Sequence, residues 1–190
     1  MITTKSLGIG QDWQKKFCLR DHSEKWLDRA CAFFALQCGV SKDIIEAGGE
    51  VEAICTLMSF DEDNKSKPPE LSTVSLASRD TEDKDRAALL LKSAVDRESP
   101  HFSFMACEAW SAKVNDPEAI PSTPIKDLPD REEVCVLQMV CRIYGATTAI
   151  MAVSPITRGE NVLVEPFSEK NVHIHQPSEE EIHMDRYSMC

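Results

Sequence analysis

Hydrophobic positions recur along this chain at two periods. Trp26, Ala30, Phe33, Phe34 and Gln37 fall at i, i+4, i+7, i+8 and i+11, and Leu27, Cys31 and Cys38 widen the stripe. That spacing gathers them on one face of an α-helix. Asp21 followed by Glu24 has capping-box spacing. The pattern predicts a helix over 22–38, with Gly39 in the C′ position that closes a helix. Ala87, Leu90, Leu91, Ala94 and Val95 repeat the 3.6 period and predict a second helix over 81–97. Asp80 or Thr81 caps it, Glu82, Asp83 and Asp85 suit its positive N-terminus, and Pro100 stops it. Upstream, Trp13 and Phe17 are four apart and share one face of a short helix.

The other period is two. Residues 51–60 (VEAICTLMSF) predict a strand, and residues 71–77 (LSTVSLA) a short one. In residues 102–110 (FSFMACEAW) both alternating faces are largely apolar, which places that strand centrally in a sheet covered on both sides. Residues 111–130 carry Pro117, Pro121, Pro124 and Pro129 and predict an irregular connection. Residues 132–144 predict a strand with Cys135, Leu137, Met139, Cys141 and Ile143 on one face. A turn at Tyr144-Gly145-Ala146 returns the chain into a strand over 146–153, ended by Pro155, and residues 162–164 add an edge strand.

The expected fold class is α+β: a mixed, largely antiparallel sheet with two main helices packed on it. One such domain spans 1–167. Residues 168–190 are polar, with Glu169, Glu179, Glu180, Glu181 and Asp185 against Lys170 and Arg186, and predict an acidic, histidine-containing mobile tail.

Composition narrows the function classes. With 21 Lys and Arg against 32 Asp and Glu the chain carries a net charge of −11. A surface of that sign repels phosphate backbones, so direct nucleic-acid binding is not expected, while a protein partner with a basic surface is. No apolar run approaches the length of a membrane span. The eight cysteines include no CxxC pair, and most lie within apolar helix or strand patterns as small hydrophobes. The opening residues lack the apolar run of a secretory leader, so the expected compartment is the cytoplasm, with reduced thiols.

Candidate chemistry is sparse. Glu108 shares a strand face with Phe102, Phe104, Ala106 and Trp110, so its carboxylate needs a partner, for which Arg131 and Arg142 are the candidates. With Asp130 and Arg131, at the start of the following strand, it forms the best polar site at a sheet rim, as general base or metal ligand. His173 and His175 alternate, and with His183 they are the metal-ligand candidates, although their spacing fits no zinc signature. The loop over 61–72 fails as a calcium site, since Lys65 stands where an oxygen ligand belongs and Ser72 where Glu would close the loop. No GxSxG, HExxH, phosphate loop or dinucleotide fingerprint occurs, and no cofactor is expected.

Glu108-Ala109-Trp110, a Pro-rich link and Pro129-Asp130-Arg131-Glu132-Glu133-Val134 together resemble a pattern of uncharacterised bacterial and phage-encoded proteins. Cys107 stands where that pattern has Ser. The resemblance implies an α+β domain and supplies no catalytic residue. The leading expectation is a non-enzymatic interaction or accessory protein of a phage or mobile element. The alternatives are a small metal-dependent hydrolase using Glu108 and Asp130, and a structural subunit that forms homo-oligomers through an edge strand.

Overall fold

The computed structural model describes residues 23–61, 63–64, 66–76, 81–112, 124–143, 146–168 and 170–175. Helix α1 (Ser23–Glu46) is followed by β1 (Ile54–Ser59), β2 (Glu70–Ser75), helix α2 (Thr81–Glu98), β3 (Phe102–Ala112), a 3₁₀ turn (Ile125–Asp127), β4 (Arg131–Ile143), β5 (Ala146–Arg158), β6 (Val162–Val164) and β7 (Val172–His175). The fold is α+β, with two helices packed on a curled sheet. Strand order is β2-β1-β3-β4-β5-β6, with β7 also on β5. Every pair is antiparallel, so the mixed pairing expected from sequence does not occur among the described strands.

The two helices take opposite faces, because side chains alternate along each strand. On one face α1 buries Leu27, Ala30, Cys31, Phe34 and Cys38 against Met58, Phe102, Phe104, Leu137, Met139 and Ile150. Trp26 stacks on Phe60 at 5.1 Å, and Phe33 meets the Phe104 ring edge-on at 4.7 Å. On the other face α2 buries Ala87, Leu91, Ala94 and Val95 against Cys55 and Leu57. Strand β3 lies between β1 and β4, the central place its two apolar faces require. Burial pushes the thiols of Cys31, Cys38, Cys135 and Cys141 up to about 12, which leaves them neutral and inert at physiological pH.

Two element ends differ from expectation. Helix α1 runs through Gly39 to Glu46, because Cys38, Ser41 and Ile45 continue the buried stripe and packing outweighs one glycine. The closing glycine is Gly48, at φ 82°, where amides of Gly48 and Gly49 donate to the carbonyls of Ile45 and Ile44. Strand β5 likewise passes Pro155 and ends at Arg158. The Pro155 carbonyl accepts from the Glu165 amide, and the buried Ser154 hydroxyl donates to the Glu165 carbonyl. A side chain thus supplies the donor that proline lacks, and pairing passes from β4 to β6 without a break.

The far edge of β6 is blocked. Glu46 accepts from the Val164 amide at 3.1 Å and Lys42 donates to the Val164 carbonyl at 3.2 Å, while Lys42 and Glu46 pair with each other. Beyond Phe167, inside the segment read from sequence as a tail, residues 172–175 form β7, paired with Ala149–Ala152 of β5. Asn171 secures the approach, accepting from the Ser168 amide at 2.7 Å and donating to the Pro166 carbonyl at 3.2 Å. Residues 169 and 176–190 of that segment, the Asp21 cap, Asp80, Trp13, Phe17, residues 113–123 of the link and the Tyr144-Gly145 turn lie outside the described residues. No helix among the described residues is long and apolar enough to cross a membrane.

Ser154→Ala removes the donor that the Glu165 carbonyl meets beside Pro155, in a part-buried site. It is expected to cost about 0.5–1.5 kcal/mol in urea unfolding. A change within error in the unfolding midpoint would show that the hydroxyl is not needed there.

Candidate functional site

The polar residues of greatest interest collect at one end of the sheet. There β3 ends, β4 begins, β5 ends and β6 begins. Register puts Glu108 opposite Cys135, Trp110 opposite Glu133 and Ala112 opposite Arg131. The two halves of the sequence motif, 108–110 and 129–134, therefore lie side by side on neighbouring strands.

Arg158 organises this rim. Its Nε and Nη2 donate to the two oxygens of Glu133 at 2.7 and 2.6 Å, a bidentate pair. The same Nη2 donates to Oε2 of Glu108 at 2.8 Å. The other Glu108 oxygen accepts from the backbone amide of Val51 at 2.7 Å, which ties in the chain leaving α1. Both carboxylates are sheltered, with 16% and 18% of the Glu108 and Glu133 side chains exposed. The Arg158 hydrogen bonds hold the Glu133 carboxyl below the usual range, and Glu133 in turn raises the Arg158 guanidinium.

Arg131 does not serve Glu108. Its guanidinium lies over the Trp110 ring, 5.1 Å from the centroid, and donates to the Leu128 carbonyl at 3.2 Å. Arg142 lies at the opposite end of β4 from the residue facing Glu108, about seven residues or 23 Å away along the strand. A β5 that stops at Pro155 leaves Arg158, the ion-pair partner, off the sheet, whereas the strand runs to Arg158. The alternation Ala152, Ser154, Ile156, Arg158 was the available signal.

Asp130 is exposed in the turn before β4 and belongs to the rim without touching the Arg158 cluster by any ion pair among the described residues. His173 and His175 sit on β7, opposite Met151 and Ala149. They lie away from the rim, and His183 lies outside the described residues. No group of three His, Cys, Asp or Glu among the described residues is arranged to hold a metal ion.

Two further features mark the rim. Trp110 is 44% exposed, unlike the phenylalanines earlier on its strand face. Six exposed acids lie toward this end of the sheet: Glu50 and Glu52 before β1, Asp127 and Asp130 before β4, Glu132 at the start of β4 and Glu160 between β5 and β6. Elsewhere, a void between α1 and β1, beside Phe34, Gln37 and Thr56, has a volume of about 10 Å³, room for a water molecule and not for a substrate. No family model, curated protein or solved structure matches the chain.

The Glu133 linkage has a definite sign. A carboxyl whose folded pKa lies below its ordinary 4.5 stabilises the fold above that pH. The contribution is lost as pH falls through the folded value. Stability measured by urea midpoint is expected to fall below about pH 4.5, with a shallower acid slope in Glu133→Gln. Equal acid slopes in the two proteins would mean that Glu133 is not held by Arg158 in solution.

Proposed function

We propose that the chain is a non-enzymatic interaction protein that binds a protein partner with a basic surface through the rim at the ends of β3 and β5. The observation that carries this reading is the Trp110 ring, exposed and covered on one side by Arg131, on a base fixed by Arg158. Tryptophan and arginine are the residue types most enriched where binding energy concentrates, above all when their scaffold is rigid. The surrounding acids favour a basic partner and give it a fast, oriented approach.

The hydrolase alternative is weaker on the same geometry. Both oxygens of Glu108 already accept hydrogen bonds, one from a backbone amide and one from Arg158. Both oxygens are thus engaged within the fold, as an anchoring carboxylate requires. The proposed setting is an accessory role in the cytoplasm, in keeping with inert buried thiols and with the resemblance to bacterial and phage-encoded proteins, whose two motif segments meet at this rim.

The test is an affinity capture from host lysate with the full chain as bait, at low and high salt, followed by titration of the purified partner. Trp110→Ala is expected to weaken binding at least about tenfold, and high salt to weaken it further. Glu108→Gln is expected to weaken it less than Trp110→Ala. A partner that binds Trp110→Ala as tightly as wild type, or ignores salt, would overturn the assignment of the surface.

A further inference from the structure

Helix α1 carries a glutamine within its apolar stripe. Gln37 continues the spacing of Trp26, Ala30, Phe33 and Phe34, and it is half-buried. The sheet meets it with a second polar side chain. Thr56 on β1 faces α1, because it lies opposite Phe104, which belongs to the core under that helix. Thr56 is only 8% exposed. Among the described residues, neither the Thr56 hydroxyl nor the Gln37 amide is hydrogen-bonded to a protein group. A hydroxyl buried to that degree is ordinarily paired, with protein or with ordered water.

Gln37 and Thr56 line the same space, of about 10 Å³, between α1 and the sheet. The register accounts for it. Ala106 sits between Ile54 on β1 and Leu137 on β4, and its single methyl between two branched side chains leaves a gap beneath Phe34. The volume matches one water molecule and is too small for a larger ligand. No charged residue lines the space, so a bare ion would meet no counter-charge there. Gln138 also borders it, but its side chain belongs to the other face of the sheet.

We infer that this space is a binding site for a single water molecule, which bridges the Thr56 hydroxyl on β1 to the Gln37 amide on α1. A water held in a core needs at least two polar partners, and these two supply them. The hydroxyl both donates and accepts, and the amide offers a carbonyl oxygen and an NH2 group, so the water's hydrogens and lone pairs are both met. The bridge satisfies two polar side chains that apolar packing would otherwise leave unpaired, and it ties the middle of α1 to β1. The site is separate from the Trp110 rim and does not depend on the partner proposed for it.

A crystal structure of the full chain, fine enough to show ordered water, tests this. The expected result is one water at hydrogen-bond distance, about 2.7–3.2 Å, from Thr56 Oγ1 and from Oε1 or Nε2 of Gln37. Thr56→Val keeps the branched shape and is expected to lose the water, as is Gln37→Met, which keeps the length. In solution, the wild type is expected to show nuclear Overhauser contacts between a long-lived water and the Gln37 side-chain amide protons, absent in Thr56→Val. Trp110→Ala leaves the water in place. A direct Thr56–Gln37 hydrogen bond, a wild-type structure without ordered water between the two side chains, or a water retained in either Thr56→Val or Gln37→Met would overturn the inference.

Discussion

One guanidinium joins three parts of this fold. Arg158, the last residue of β5, binds Glu133 on β4 through two hydrogen bonds and Glu108 on β3 through a third. Glu108 in turn accepts from Val51, just beyond the end of α1. Two sheltered carboxylates on neighbouring strands repel each other, and that cation offsets the repulsion. The ion pairs are partly exposed, so their main effect is geometric rather than a large gain in stability. They hold the ends of three strands and the exit of a helix in one arrangement, and the exposed Trp110–Arg131 pair rests on it.

The same economy governs the edges of the sheet. Proline in β5 and the open side of β6 both present backbone groups that a regular ladder would leave unpaired. Side chains meet both needs: the Ser154 hydroxyl at the Glu165 carbonyl, and Lys42 with Glu46 at Val164. The second device also fixes α1 over β6 and shields an edge that would otherwise invite another strand. Helix α1 therefore shapes the core, the edge and, through Val51, the rim.

Much of this was legible in the sequence. The Trp26-to-Cys38 stripe and the Ala87-to-Val95 stripe specify both helices, and the doubly apolar pattern of 102–110 specifies the central strand. Local patterns failed where tertiary contacts override propensity. Gly39 is tolerated inside α1 because Ser41 and Ile45 are buried beyond it. Pro155 is tolerated inside β5 because Ser154 replaces its missing donor. That second misreading hid Arg158, and with it the ion pair that explains Glu108. The polar run after Phe167 hid β7, four residues long and held by pairing with β5 rather than by any strong pattern of its own. The sequence did place Glu108, Asp130 and Arg131 near one sheet rim, since antiparallel connection of adjacent strands brings the end of one beside the start of the next. It did not reveal that Arg131 covers Trp110, because nothing in the strand pattern distinguishes a buried tryptophan from one beyond the reach of α1.

The recognition surface proposed for the rim centres on Trp110. A photo-crosslinking phenylalanine analogue at exposed Glu132, which pairs with Ser111 beside Trp110, tests it in the full chain and in its own host, with the adducts identified by mass spectrometry. One dominant protein adduct with a basic surface is expected, lost when Trp110→Ala is added and when the analogue is placed at exposed Leu89 on α2 instead. No adduct at position 132, or the same adducts from both positions, would contradict the proposal.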